Sequence, residues 1–256
     1  MVYLAKMMKI KVKKNYNSLK GLNHYRDKSP CQDRTYYLKN ENLNVMVLAD
    51  GAGSAKFSKI GATIITKFIA NFINENFDYC FKNINKKKFK DEFIDRCLNK
   101  INSTKKSEHS INDYATTLLF VAQKDDNFFY GHLGDGGIGL KQGKKIKLIS
   151  APDNGETANS TFFITSDDAK DRIRFKKGKL KKNNSFVLLS DGAFDCVFDK
   201  SSLVFTNVLY QFIDWTKNEK ELNVSAAILK NIKEFFTKKT FDDISLCIID
   251  FTKSKS

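Results

Sequence analysis

Short apolar runs that end in turn residues dominate the chain. Segments 43–50 (LNVMVLAD) and 185–192 (SFVLLSDG) are continuous apolar runs of strand length, each closed by Asp-Gly. This pattern predicts buried β-strands. Shorter runs predict strands at 9–14 and 244–250, and a block of four more at 114–123, 127–134, 137–143 and 145–150. Because turn residues separate the four, we expect an antiparallel meander.

Apolar residues recur at helical spacing elsewhere. Between 58 and 76 they return every three or four positions, which predicts a helix that begins near Ser58. A second helix is predicted at 89–103, and two helical pieces within 198–237. Residues 151–185 are polar and lack a period, so we expect an irregular excursion over the surface. Predicted strands are followed by helices and then by further strands along the chain. This order predicts a single α+β domain over residues 1–256.

The formal net charge of +15 raises the question of an anionic partner. Most of the basic residues are lysines, and Asn, Ile and Phe are abundant as well, which favours codon bias in an AT-rich genome. A protein that recognises nucleic acid more often uses arginine, because its guanidinium forms bidentate contacts. We therefore expect no nucleic-acid partner.

The cysteines, at positions 31, 80, 97, 196 and 247, are scattered and form no CxxC pair. An odd, scattered set favours neither a disulfide framework nor a zinc site, so we expect a reducing, cytoplasmic location. The N-terminal segment lacks the apolar core and cleavage site of a signal peptide. No stretch approaches the roughly 18 apolar residues of a membrane-spanning helix, so we expect no membrane partner.

Acidic residues recur where the predicted strands begin or end. They are Asp33, Asp50, Asp135, Asp191 and the pair Asp242-Asp243. One Asp-Gly after a strand is usually a plain turn. Several such sites in one domain are harder to explain in this way, since strand ends can converge at one rim of a sheet. Their carboxylates would then repel one another unless cations lie between them. Carboxylates without His or Cys favour Mg²⁺ or Mn²⁺ over Zn²⁺, and two such ions could activate a water and clamp a phosphate.

The order and flanks of these motifs carry a family resemblance. In chain order, the segments are GLNHYRDKSPCQDRTYYL (21–38), LADGAGSAKFSKIGA (48–62), ATTLLF (115–120), GHLGDGGIGL (131–140), GETANSTFFITS (155–166), FVLLSDGAFD (186–195) and FDDISLCIID (241–250). Together they resemble the motifs of the bacterial branch of the PP2C-type (PPM) metal-dependent Ser/Thr protein phosphatases. The resemblance spans about residues 20–250. It implies a four-layer αββα sandwich with two antiparallel sheets flanked by helices.

The resemblance also implies roles for individual residues. Asp50 matches the carboxylate that bridges two metal ions, and the Gly51 carbonyl matches a ligand of the second. Asp191 and Asp242 match ligands of the first ion. Two further roles belong to Asp33, which matches a carboxylate that holds metal-bound water, and to Asp135, which matches the ligand of a third, weaker ion.

The implied activity is hydrolysis of phosphoserine and phosphothreonine, with two core Mn²⁺ or Mg²⁺ ions and no covalent enzyme intermediate. The implied partners are a phosphorylated protein and a cognate Ser/Thr kinase. The alternative is a catalytically weak or inactive relative that binds phosphoproteins. Because inactive relatives typically lose metal aspartates and none is missing here, the sequence favours an enzyme.

The segment that precedes Asp33 departs from the family pattern. Many members carry an Arg five residues before this aspartate, and it binds the substrate phosphate. This chain has Lys28 there, a point charge without the bidentate fork of arginine. Arg26 or His24 is expected to share the task. His24 is alternatively a general acid for the leaving alkoxide, or an ordinary partly buried histidine.

The late motif departs as well. It usually reads Asp-Asn, and here it reads Asp242-Asp243. The second carboxylate either tightens metal binding or faces solvent.

Overall fold

The computed structural model describes residues 9–155 and 161–254. Twelve strands are assigned in this part of the chain: β1 Lys9–Leu19, β2 Arg34–Asn40, β3 Leu43–Ala49, β4 Leu118–Lys124, β5 Asn127–Leu133, β6 Gly137–Gln142, β7 Lys145–Ser150, β8 Arg174–Lys179, β9 Asn183–Leu189, β10 Phe198–Asp199, β11 Val204–Phe205 and β12 Ile244–Ser254. The helices are α1 Leu22–Arg26, α2 Ser58–Asn83, α3 Lys87–Thr104, α4 Ala169–Arg172, α5 Asp191–Val197, α6 Asn207–Asn218 and α7 Glu221–Phe235, with 3₁₀ turns at Ile111–Tyr114 and Phe236–Lys238.

Two five-stranded antiparallel sheets form the centre of the protein. The first has the strand order β1-β12-β9-β6-β7, and the second has the order β2-β3-β4-β5-β8. Side chains alternate between the two faces of each strand. In β3, Met46 and Leu48 pack against the opposite sheet, whereas Val45 and Val47 pack under α2 and α3. Both faces of β3 are therefore buried, which explains why its sequence is continuously apolar.

Helices cover the outer face of each sheet. The core under α2 and α3 is rich in phenylalanine, with Phe93 against Phe120 and Phe175. On the other side, α6 and α7 pack against the first sheet around Phe212 and Ile228. The prediction of two antiparallel sheets between helical layers is confirmed. No helix of the described residues is long and apolar enough to cross a membrane.

The predicted four-stranded meander is wrong. Strands β4 and β5 form a hairpin in the second sheet, and β6 and β7 form one in the first sheet. Between the hairpins, residues 134–136 carry the chain from one sheet to the other. Gly134 has a φ of +114°, and a Cβ atom there would lie 2.6 Å from Thr117 Cγ2. This sharp crossing therefore depends on glycine.

The predicted irregular segment 151–185 is only partly irregular. Residues 174–179 form β8, the edge strand that pairs with β5, and α4 precedes it. Its sequence, RFKKGK, has little apolar content because an edge strand faces solvent and lysines there oppose edge-to-edge association. The helical prediction for 198–237 holds from residue 207 onward, since 198–205 contains β10 and β11. Part of the predicted motif 155–166 lies outside the described residues.

The 3₁₀ turn at 111–114 fixes the start of the loop that leads into β4. Gly61 of α2 approaches this turn so closely that a Cβ atom would lie 2.1 Å from the Tyr114 carbonyl oxygen. Phe57 N–H also donates to the Asp113 carbonyl oxygen at 2.7 Å. Helix α2 and the loop that carries Thr116 and Thr117 are therefore locked together.

The first prediction concerns this contact. In an exposed helix, Gly→Ala stabilises by about 1 kcal/mol, but here the methyl group meets a backbone carbonyl that cannot rotate away. We expect Gly61→Ala to lower the free energy of unfolding by about 2 kcal/mol, measured by urea denaturation. Gly53→Ala is the matched control, because no heavy atom lies within 4 Å of its Cβ position. A Gly61→Ala protein at least as stable as the wild type would contradict the close packing.

Candidate active site at the common edge of the two sheets

Antiparallel pairing brings the acidic strand ends together. Ala49 at the end of β3 pairs with Arg34 at the start of β2, so Asp50 and Asp33 are neighbours. In the first sheet, Leu189 at the end of β9 pairs with Leu246 of β12 and Gly137 of β6. This register gathers Asp191, Asp242 and Asp135 at the adjoining edge. The strand ends of both sheets thus meet at one cleft of about 450 Å³.

Four of the predicted aspartates line this cleft: Asp50, Asp135, Asp191 and Asp242. Gly51 lines it too, and a Cβ atom there would lie 2.9 Å from the Ser58 backbone, so a larger residue does not fit. Asp33 is fully buried beside them, and among the described residues neither of its carboxylate oxygens has a hydrogen-bond partner. An unpaired buried carboxylate is costly, and a bound cation would offset that cost.

Two threonines that the sequence did not single out as functional residues hold the backbone of Asp50. Asp50 N–H donates to Thr117 Oγ1 at 2.9 Å, while Thr116 Oγ1 and Thr117 N–H each donate to the Asp50 carbonyl oxygen at 2.8 Å. The sequence feature that could have indicated their role is the Thr-Thr pair in the ATTLLF segment, at the start of a predicted strand. These three bonds fix the main chain from which the Asp50 carboxylate projects.

Burial and mutual repulsion control the charge of the site. Burial raises the pKa of Asp50 well above its usual range, and the negative charges of Asp33 and Asp191 raise it further. The pKa of Asp191 is raised by burial and then by Asp135 and Asp242. Burial is also the main cause of the raised pKa of Asp33 and of Asp135. None of these four carboxylates forms an ion pair within the described part of the chain, and the oxygen-only donor set fits a hard divalent cation.

The carboxylates do not by themselves define a coordination sphere. Across the ranges 9–155 and 161–254, no group of three or more His, Cys, Asp or Glu side chains stands close enough together to hold a metal ion. The assignment of individual ligands therefore stays a prediction, although the fold brings the predicted residues to one cleft.

Asp243 does not face solvent, because it is 1% exposed. Its two carboxylate oxygens accept the backbone N–H groups of Gly21 at 2.7 Å and Gln32 at 2.6 Å. Asp243 therefore ties both ends of the loop that precedes Asp33 to the segment that carries Asp242. Sequence reasoning weighed metal binding or solvent exposure for this carboxylate and missed its role as a backbone anchor.

His24 lies on this loop beside the same anchor. Its Nδ1 atom is 2.9 Å from Asp243 Oδ1, at an angle unsuited to a hydrogen bond, so the contact is an ion pair only when the imidazole is protonated. His24 does not line the cleft. Its role as a general acid stays a prediction.

The two predicted phosphate-binding cations lie at the surface. Lys28 is exposed and adopts a φ of +54°, which is uncommon for a residue other than glycine. Arg26 is exposed as well, and its guanidinium lies 5.5 Å from the centre of the Phe241 ring. Phe241 directly precedes Asp242 in the chain. Neither side chain lines the cleft in this conformation, and their role also stays a prediction.

The second prediction follows from the anchor. In Asp243→Asn, the amide keeps one acceptor oxygen but turns a donor toward the other backbone N–H. We expect a loss of about 2 kcal/mol in the free energy of unfolding of the metal-free protein, measured by urea denaturation. Asp250→Asn is the matched control. This carboxylate is equally buried, but it accepts from the hydroxyls of Ser185 and Thr252, which can rotate to accept instead. Equal losses in the two variants would contradict the anchoring role.

The third prediction concerns pH. Carboxyl groups with raised native pKa values keep protons that the unfolded chain has released, so stability falls as pH rises from about 4 through neutral pH. Burial lowers the pKa of His132, so below about pH 6.5 the unfolded chain binds one proton on this residue that the folded protein does not. This single proton opposes the trend set by the several carboxyl groups. We expect the midpoint of urea unfolding in EDTA to fall across this range, and to fall less steeply in Asp50→Asn. A midpoint that rises from about pH 6.5 to about pH 8 would contradict the assigned repulsion.

Comparison with known proteins agrees with this geometry. The family model Protein phosphatase 2C matches residues 20–234. Serine/threonine-protein phosphatase 3 of Escherichia coli (strain K12) is 27% identical over 164 residues, which is 62% of this chain. That match covers 64% of the length of the E. coli protein.

Solved structures share the fold at low sequence identity. The S. agalactiae serine/threonine phosphatase superposes with a TM-score of 0.64 at 15% identity, covering 93% of this chain and 99% of that one. The catalytic domain of the serine threonine protein phosphatase PstP, solved with two manganese ions, gives a TM-score of 0.63 at 15% identity, covering 95% of this chain and 100% of that one. The match of the family model over most of the chain, together with the shared fold, shows that this chain belongs to the Protein phosphatase 2C family.

Proposed function

We propose that this chain is an active metal-dependent phosphatase that hydrolyses phosphoserine and phosphothreonine in proteins. The single observation that carries the proposal is the group of neighbouring carboxylates Asp33, Asp50 and Asp191, the first fully buried and the other two half-buried. The charges of Asp33 and Asp191 raise the pKa of Asp50, and none of the three carboxylates forms an ion pair with another described residue. The family and the names of the matched relatives support the reaction class. The manganese ions of the PstP structure support the choice of Mn²⁺ or Mg²⁺.

Each residue has a proposed task. Asp50, the Gly51 carbonyl, Asp191 and Asp242 would hold two core cations, Asp33 would orient water beside them, and Asp135 would hold a third cation. Bound divalent cations would supply the positive charge that acidifies an attacking water and neutralises the phosphate. Lys28 and Arg26 would bind the substrate phosphate, which requires their side chains to turn toward the cleft. His24 would donate the proton that the leaving alkoxide needs.

The biological setting is part of the proposal. A phosphorylated protein would be the substrate, and a Ser/Thr kinase that produces it would be the opposing enzyme. The five cysteines are free thiols, which supports a reducing compartment such as the cytoplasm. The alternative, a relative that binds phosphoproteins without turnover, has less support because all the expected aspartates are present.

The experiment that tests the proposal is a hydrolysis assay with p-nitrophenyl phosphate and with phosphoserine and phosphothreonine peptides. We expect turnover with added Mn²⁺ or Mg²⁺ and none in EDTA. Tight binding of the phosphopeptides without turnover under all metal conditions would instead support the binding module.

The fourth prediction concerns Asp50→Asn, which keeps the shape of the side chain but removes its charge. We expect kcat to fall at least about 100-fold, because the core cations would lose a proposed carboxylate ligand. The metal-free variant should unfold at no lower urea concentration than the metal-free wild type, because one like charge has left the cluster. Mn²⁺ should stabilise the wild type much more than the variant.

Asp195→Asn is the control for this variant. Asp195 contributes negative charge near Asp135, but it does not line the cleft and pairs with Lys200 at 2.8 Å. We expect its kcat to stay within about threefold of the wild type. A folded Asp50→Asn protein with near-wild-type kcat would disprove the two-metal proposal.

A further inference from the structure

A second groove lies next to the carboxylate cleft. Its volume is about 480 Å³, and it runs between the loop after β3, the 3₁₀ turn at 111–114 and the segment 163–167. We call it the side groove and define it by Ala52, Ser54, Ala55, Asp113, Phe163 and Asp167.

The side groove is continuous with the carboxylate cleft. Ala52, Ser54 and Phe163 line both spaces. A phosphorylated side chain whose phosphate reaches Asp50 would therefore place its own polypeptide at the mouth of the side groove. Small ligands that fill only the carboxylate cleft would not reach it.

The floor of the side groove is apolar and made of small residues. Ala52, Ala55 and Ala115 are buried and pack together with Phe163. Small side chains on the floor leave depth for an incoming side chain, and the apolar surface suits the methylene stem of a long one.

The charges of the side groove have the opposite sign to those of the chain as a whole. The protein carries 44 Lys and Arg against 29 Asp and Glu, yet none of the described residues that line the groove is basic, and two are aspartates. Asp113 uses one oxygen to accept the Ser110 N–H at 3.0 Å. Asp167 is exposed, and within the described part of the chain neither carboxylate forms an ion pair.

We propose that the side groove binds the substrate polypeptide next to the phosphorylated residue and selects a lysine or arginine there. The stem of such a residue would lie on the alanine floor, and its charged end would meet Asp113 and Asp167. An acidic residue at the same position would be repelled. The groove would therefore make the enzyme prefer substrates that carry a basic residue near the phosphorylated one. This inference rests on the proposed function, because it names the substrate class of that same cleft.

The test uses phosphoserine peptides in which arginine or glutamate is placed in turn at each position on either side of the phosphoserine. We expect kcat/KM for the best arginine peptide to exceed that of its glutamate partner by about tenfold at low salt, and by less at high salt. In Asp113→Asn/Asp167→Asn this preference should fall to about twofold. The amide of Asn at position 113 can still accept the Ser110 N–H, so the 3₁₀ turn should survive.

Two controls separate the side groove from other effects. Dividing each peptide value by kcat/KM for p-nitrophenyl phosphate removes changes in the carboxylate cleft itself. Asp78→Asn/Asp214→Asn raises the net charge by the same amount at exposed sites elsewhere, where the carboxylates pair with Lys124 and Lys141. This variant should keep the preference of the wild type.

Each outcome decides the proposal. No preference in the wild type, or a preference that survives in Asp113→Asn/Asp167→Asn, would overturn it. If neither p-nitrophenyl phosphate nor the phosphopeptides are hydrolysed, the proposed function fails, and the side groove is then judged by fluorescence anisotropy with the same labelled peptides. The proposed role of the side groove would be supported if the arginine peptides bind more tightly than the glutamate peptides and this difference is lost in Asp113→Asn/Asp167→Asn. Equal binding of the arginine and glutamate peptides to the wild type would disprove it.

Discussion

Repulsion among the carboxylates that meet at the common edge of the two sheets is the constraint that the surrounding structure has to meet. Asp33 is fully buried, and among the described residues neither of its oxygens has a hydrogen-bond partner, while Asp50 beside it is half-buried. Desolvation of an unpaired charge costs several kcal/mol, and neighbouring charges of the same sign add to that cost. The metal-free protein can lower the cost by keeping protons on these groups. Cations bound by the carboxylates would remove this free-energy cost, because their positive charge would offset the repulsion.

A rigid backbone keeps the carboxylates together despite their repulsion. Thr116 and Thr117 clamp the main chain of Asp50 with three hydrogen bonds. On the opposite sheet, Ser190 N–H donates to the Ser245 carbonyl oxygen at 3.0 Å, and Ser245 N–H donates to Ser190 Oγ at 2.9 Å. These bonds tie Ser190, the residue before Asp191 at the start of α5, to the strand that follows Asp242. Such preorganisation means that a ligand need not order the site when it binds.

Net charge and local charge have different consequences in this protein. The lysines that give the chain its +15 lie mostly on exposed positions, where salt screens them over about 10 Å. The carboxylate cleft and the side groove are acidic and adjoin each other. The same surface therefore carries many exposed lysines and two acidic recesses. The long-range field would attract phosphorylated proteins, whereas the recesses would select cations and basic side chains at contact distance.

The sequence by itself determined the local elements and the candidate chemistry. Continuous apolar runs predicted β3, β9 and β12, since a strand buried on both faces needs no polar residues, and the motif order indicated the family and its four-layer fold. Tertiary structure alone decided that β5 and β6 belong to different sheets, that RFKKGK is an edge strand, and that Asp243 anchors two backbone N–H groups. The pattern of apolar and polar residues indicates the periodicity and the burial of a local segment. The strand or backbone group with which that segment pairs lies far away in the chain. That partner is set only when the layers pack.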